Sequence, residues 1–247
     1  MELIKSTFGG TITLSGKTVY AWRISFLENL VNVIIPHFDK FPLITQKRSD
    51  FELFKRAVEM MSRQEHLTLE GVQQIVNLKA TLNKGLSKKL KLAFPNTKPA
   101  TRPSFPFSKI PSEYWLCGFV DGEGNFMVMT NKNLSHKSGT QIVLRFKVTQ
   151  HVRDAKLIKS FVDFFGCGDS YTNKDCEDFI VAKFSNITNI ILPFFNEHPL
   201  LGCKALDLAD FRRVAEMMQN KEHLTEEGLD IILRIKEGIN RGRRSGN

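Results

Sequence analysis

The residues with the strongest chemical potential lie in one short run, Trp115-Leu116-Cys117-Gly118-Phe119-Val120-Asp121-Gly122-Glu123-Gly124-Asn125-Phe126. Gly118 and Gly122, four apart, fall on one face of a helix and offer no side chain beyond hydrogen, so a partner helix can approach that face very closely. Glu123 then stands at the helix end. A carboxylate there can recruit Mg2+, an ion that keeps several waters and bridges to phosphate oxygens. Such ions activate a water and stabilise the leaving oxygen of an in-line displacement. Taken alone, Glu123 would be an ordinary exposed turn residue; the surrounding pattern raises it above that. Ser15-Gly16-Lys17-Thr18 ends like a nucleotide-binding loop, but Thr11 stands where such a loop needs glycine, and a hairpin turn accounts for the run. Cys117, Cys167, Cys176 and Cys203 form no CxxC pair, which points to buried free thiols in a reduced compartment rather than disulfides or a zinc site.

The elements that must position Glu123 follow from periodicity. Ser112 is suited to cap a helix running through Val120, with Pro111 ahead of it. Residues 125–130 and 141–149 alternate as strands around a polar loop at 131–140. A helix over 152–165 carries Leu157, Ile158, Phe161 and Phe165 on one face and ends at Gly166. Residues 170–173 and 179–184 predict a second hairpin around 174–178. Leu208, Phe211, Ala215 and Met218 then share one face of a long helix, and a last helix follows Thr225, with Gly228 where a capping box would place an acid. The order is helix, two strands, helix, two strands, helix, helix. This predicts an α+β half-domain: a four-stranded antiparallel sheet with helices on one face. The open face would suit a major groove, which admits a two-stranded ribbon. On that face Arg145 and Lys147 are the best contact residues, joined by Gln141, since Ile142, Leu144, Phe146 and Val148 face the core. Asn125, Asn131, Tyr171, Asn173 and Asp178 are weaker candidates. Met127 and Met129 share the face, where polar residues would be expected.

The unit occurs twice. Glu65-His66-Leu67-Thr68 and Glu222-His223-Leu224-Thr225 lie 157 residues apart, and the same offset pairs Phe8 with Phe165, Pro36 with Pro193, Lys47 with Lys204, Asp50 with Asp207, and Gly71 with Gly228. Two pseudo-symmetric half-domains follow, suited to duplex DNA, whose backbone is itself nearly two-fold symmetric. The first covers 1–92 and the second 111–242. A basic, Pro-rich linker over 93–110 crosses between them, and a flexible basic tail occupies 243–247. Arg23 is the clearest contact residue in the first. The offset places the counterpart of 111–157 ahead of Met1, so the first copy is expected to lack that part. Between Lys79 and Lys109 stand eight basic residues and no acid, a pattern equally suited to phosphate contact and to a soluble spacer.

Composition agrees with a packed protein, at 42% hydrophobic and 25% charged, rather than a disordered one. The net charge of +9 favours a polyanionic partner. Nucleic acid is preferred over membrane, because the longest apolar run is broken by Asn and Pro around 29–36. Neither a secretory core nor an Arg-rich transit helix is readable at the start. With 20 Phe against 3 Tyr, the composition points to an A+T-rich organellar genome, in line with the absent targeting peptide.

Leu116 to Gly124, LCGFVDGEG, resembles the nine-residue motif that names the LAGLIDADG homing endonucleases. The resemblance extends over essentially the whole chain, through PLITQKRSDF, PLLGCKALDL and the HLT-x-EG segments, and is nearest the single-chain, two-motif branch of organellar introns. It implies a Mg2+-dependent (or other divalent cation) double-strand DNA endonuclease with Glu123 at the catalytic, metal-binding position. Gln150 would organise solvent near the scissile phosphate, and Lys204 with its mate Lys47 would stabilise charge or polarise water, a surface lysine being the plainer reading. Asp121 would brace the motif helix. The Gly118 and Gly122 interface needs a second motif helix, supplied by another polypeptide, a fused upstream segment or a second copy of this chain. The alternative is a non-cleaving protein that binds structured RNA, an intron maturase or ribonucleoprotein component. A transcription regulator on the same fold finds no helix-turn-helix segment in its favour.

Overall fold

A computed structural model describes residues 1–16, 19–133 and 139–240. The chain divides into two compact units, Met1–Pro106 and Phe107–Asn247. The first opens with the helix Glu2–Phe8 and an antiparallel pair, β1 (Thr11–Ser15) and β2 (Val19–Arg23), in which Thr13 lies opposite Ala21. Gly16, at φ 78°, begins the turn, as the hairpin reading of Ser15 to Thr18 required; Lys17 and Thr18 lie outside the described residues. Helices Lys47–Ser62 and Leu69–Thr81 follow, packing Leu53, Met60 and Leu78 together with Ala57, Ile75 and Leu82.

Beyond a short helix, Lys88–Ala93, that the sequence did not announce, residues 94–112 form neither helix nor strand, as five prolines require. The segment is nevertheless held along the first unit. The Ala100 and Lys98 amides donate to the Asn77 backbone and side-chain oxygens, each at 3.0 Å. Arg102 donates to Asp50 at 2.6 Å, and the Arg48 guanidinium lies 4.2 Å from the Phe105 ring centre.

The second unit supplies the predicted four-stranded antiparallel sheet. Its strands are β3 (Gly124–Lys132), β4 (Thr140–His151), β5 (Asp169–Asn173) and β6 (Cys176–Val181), in the order β3-β4-β6-β5. The first unit has two strands among the described residues. They match β5 and β6 at the repeat offset, so the expectation of four strands in each half holds only for the second unit.

Ala155–Phe165 buries Leu157, Ile158, Phe161 and Phe165 against the sheet and stops at Gly166, whose φ of 62° is the left-handed geometry glycine tolerates. Phe126, Phe146, Phe161, Phe179, Phe195 and Phe211, all fully buried, meet mostly edge-on or tilted in one cluster. The phenylalanine-rich composition therefore builds this core.

One local expectation fails. The strand expected over 179–184 begins three residues earlier, at Cys176, because a tight turn with Lys174 at φ 53° closes the hairpin. Residues 184–197, and 27–40 in the first unit, are helical, where sequence periodicity announced no helix. Each run passes through a π turn, Ile187–Ile191 or Leu30–Ile34, just before its proline. The shifted hydrogen-bond register lets Pro193 and Pro36, which lack an N–H, sit inside a helical run. The loop residues 134–138 and the expected basic tail lie outside the described residues.

Candidate active site

The motif helix, Glu113–Glu123, starts where the Ser112 hydroxyl accepts the Trp115 amide at 3.2 Å. It buries Leu116, Cys117 and Val120. On the opposite side Gly118 and Gly122 are exposed, and a Cβ at either would meet nothing. Gly124 forces the stop: a Cβ there would stand 2.6 Å from the Val120 side chain, so the chain turns at once into β3. Glu123 is thereby left exposed at the corner, with no hydrogen bond or ion pair among the described residues.

The corner opens on a cavity of about 380 Å³ lined by Gly122, Glu123, Gly124, Asn125, Met127, Lys147, Thr149, Lys204, Asp207 and Asn240. Sequence reasoning placed four of these, Glu123, Asn125, Lys147 and Lys204, in or beside the site, and the fold brings them together. Lys204 is 8% exposed and has no partner among the described residues. It opens the helix Lys204–Gln219, where the helix dipole disfavours a cation, so helix stability does not explain its position.

Asp207, one turn on, accepts the Asn240 amide at 3.0 Å, and the Asn240 side chain donates to the Phe126 carbonyl at 2.7 Å. Sequence reasoning missed Thr149, Asp207 and Asn240. The signal was present in the repeat: Asn83 and Asn240 share its offset and its left-handed backbone, at φ 48° and 57°. In the first unit Lys47 donates to Asn83 at 3.4 Å and lies 3.5 Å from Asp50. Asp50 is held below the usual carboxylate range: burial, the largest influence, pushes its pKa up, but the Arg102 hydrogen bond and the Arg102 and Lys47 charges together outweigh it.

From the cavity the open sheet face continues along β4 through Gln141, Val143, Arg145 and Lys147, with Ile142, Leu144, Phe146 and Val148 buried behind. Asn125 lies opposite Lys147, Met127 opposite Arg145 and Asn131 opposite Gln141; Tyr171 and Asn173 reach the same face from β5. The buried atoms Arg145 Nε and Asn125 Oδ1 have no hydrogen-bond partner among the described residues. An unsatisfied buried polar atom costs about 1–3 kcal/mol, which a ligand or water on this face would relieve.

Two candidates require correction. Asp178 is 4% exposed, and its carboxylate accepts from Lys147 at 2.7 Å and Thr149 at 2.6 Å, so it positions those two side chains instead of reaching out itself. Burial, the largest influence, raises its pKa, but those hydrogen bonds and the Lys147 charge leave it lowered overall. Gln150 lies on the strand face opposite Thr149 and outside the cavity lining, in register with the buried Glu177, and its oxygen accepts the His151 amide at 2.9 Å. Arg23 ends β2 in the first unit and is exposed.

A glycine-faced helix carrying a carboxylate into an antiparallel sheet with a basic open face is the arrangement that the motif resemblance implies. The model of the LAGLIDADG endonuclease family matches residues 1–58 and 116–215, and the chain belongs to that family. It is 38% identical over 238 residues to the probable intron-encoded endonuclease 2 of Neurospora crassa, covering 92% of this chain and 51% of that protein. It is 39% identical over 227 residues to the probable intron-encoded endonuclease 3 of the same fungus, covering 90% and 42%. The chain thus spans about half of these relatives or less. Among solved structures it is similar to the homing endonuclease I-SmaMI bound to cleaved DNA, with TM-score 0.94 and 43% identity over 98% of this chain and 82% of that one.

Proposed function

We propose that this chain acts as a site-specific homing endonuclease that makes a Mg2+-dependent double-strand break in DNA. The observation that carries the reading is the unpaired Glu123 carboxylate at the mouth of a cavity whose wall holds the unpaired Lys204. The family membership and the DNA-bound structural relative support the same substrate.

The donor set suits Mg2+. Among the described residues no three His, Cys, Asp or Glu side chains gather into a cage. Glu123 offers one free carboxylate, and Mg2+ is commonly held by one or two carboxylates plus waters and substrate phosphate. Asp207 also lines the cavity, but its carboxylate is engaged by Asn240. When bound, the ion would supply Lewis-acid activation of water and charge neutralisation at the phosphate. Lys204 would place a fixed positive charge where negative charge builds on the transferring group, and its burial strengthens that effect. Arg145, Lys147, Gln141 and Asn125 would face the groove, Arg145 being suited to guanine and Asn125 to adenine. Cutting two strands needs two carboxylates. We assign the second to an equivalent helix packed on the Gly118 and Gly122 face, where neither residue's missing side chain leaves an obstacle.

The relatives' intron-encoded names support an organellar, mitochondrial gene. Incubation of the purified chain, alone and mixed with a polypeptide that supplies a second motif helix, with duplex DNA carrying the intron-free junction of its own gene, with and without Mg2+, tests the reading. Cutting of both strands only with the ion supports it. Tight binding to structured RNA with no cutting of any duplex contradicts it and favours the RNA-binding alternative.

A further inference from the structure

Asp121 stands two residues before Glu123, yet it does not line the cavity. Its Oδ2 accepts both the Leu201 and the Gly202 amides at 3.0 Å, reaching across 80 residues of sequence. Its Oδ1 is buried without a partner among the described residues. A Cβ on Gly202 would stand 2.8 Å from that Oδ1, so the carboxylate packs directly against the glycine. One residue, the N-cap Cys203, separates the clasped pair from Lys204 and the helix it opens. The first unit closes the corresponding turn differently. Thr45 occupies the place of Gly202, and its own hydroxyl accepts the Lys47 amide at 3.3 Å. The second unit has no hydroxyl at that position, and there the motif helix supports the turn through Asp121.

We propose that Asp121 is a positioning residue, tying the Glu123 helix tip to the turn that sets Lys204, so that carboxylate and ammonium hold one fixed geometry around the phosphate. The proposal rests on the endonuclease reading. The Oδ2 commitment and the burial of Oδ1 argue against a direct role at a metal. Because one oxygen accepts both amides, an asparagine can keep the clasp with its single carbonyl, whereas alanine cannot.

The test compares wild type, Asp121→Asn, Asp121→Ala, Lys204→Ala and the Asp121→Ala/Lys204→Ala double variant. Cleavage kinetics are read alongside amide hydrogen exchange at Leu201 and Gly202. A misplacement near 1 Å costs on the order of 100-fold in rate, so Asp121→Ala should lower kcat between about 10- and 100-fold with KM little changed. Asp121→Asn should stay within about threefold of wild type, and Asp121→Ala should add almost nothing once Lys204 is gone. Exchange at the two amides should quicken in Asp121→Ala and not in Asp121→Asn. Equal losses in the two single Asp121 variants, a full additional loss in the Lys204→Ala background, or unchanged exchange would each overturn the proposal. Should Asp121→Ala fail to fold, Gly202→Ala, which pushes against the carboxylate, must lower kcat in its place. If wild type cuts no duplex even with a second motif helix supplied, the endonuclease reading fails, and the exchange comparison still decides the clasp by itself.

Discussion

At the scale of single residues, polar groups in the second unit divide into those satisfied by the fold and those left open. Asp178, Lys147 and Thr149 form a closed set, whereas Glu123, Lys204, Arg145 Nε and Asn125 Oδ1 lack partners among the described residues. The closed set predicts a pH dependence. The pKa of Asp178 is lower in the folded than in the unfolded chain, where it is about 3.9, so its contribution is complete above that value and disappears as pH falls through the folded value. Asp178→Asn should lower stability at neutral pH by about 1–3 kcal/mol and flatten the acid limb of a denaturation series. An unchanged limb would contradict this. Burial, with the Asp121 and Glu113 charges adding to it, pushes the Cys117 thiol up to about 11, while Cys203 is exposed. A thiol reagent at pH 8 should therefore label Cys203 in the native protein long before Cys117, and equal rates would count against the packing. Sequence pattern identified Glu123, Lys204 and the β4 face because each follows from a motif or from alternation. It misjudged Asp178, since a hairpin placed three residues late hid that the carboxylate points at a lysine on the neighbouring strand.

At the scale of elements, the repeated turn before each last helix shows one solution twice. Thr68 and Thr225 accept the Gly71 and Gly228 amides at 3.0 Å, and a Cβ on either glycine would strike the carbonyl oxygen of Glu65 or Glu222. The sequence showed a capping box without its acid; the fold shows why no side chain can stand there. Thr225→Ala should cost about 1 kcal/mol, as loss of an N-cap does. Gly228→Ala should cost more than that, because the backbone itself must shift. Thermal unfolding of the two variants in parallel reads the order directly, and the reverse order would show that the turn is not constrained. Helices and strands with clean periodicity were legible. The proline-containing helices at 27–40 and 184–197 were not, because a π turn leaves no mark in hydrophobic spacing.

At the scale of the whole molecule, two units of one ancestry carry unequal parts of the site. Among the described residues the carboxylate-tipped motif helix lies in the second unit. Net charge and the open basic face explain attraction to a polyanion but not chemistry. In the proposed reaction the chemistry rests on Glu123. Single-turnover cleavage by Glu123→Gln, measured beside wild type on the same duplex in Mg2+ with binding monitored in parallel, tests it most directly. The account predicts a rate lower by at least about 100-fold with affinity for the duplex retained, as for removal of a group that acts only in the transition state. Cutting at the wild-type rate would contradict it.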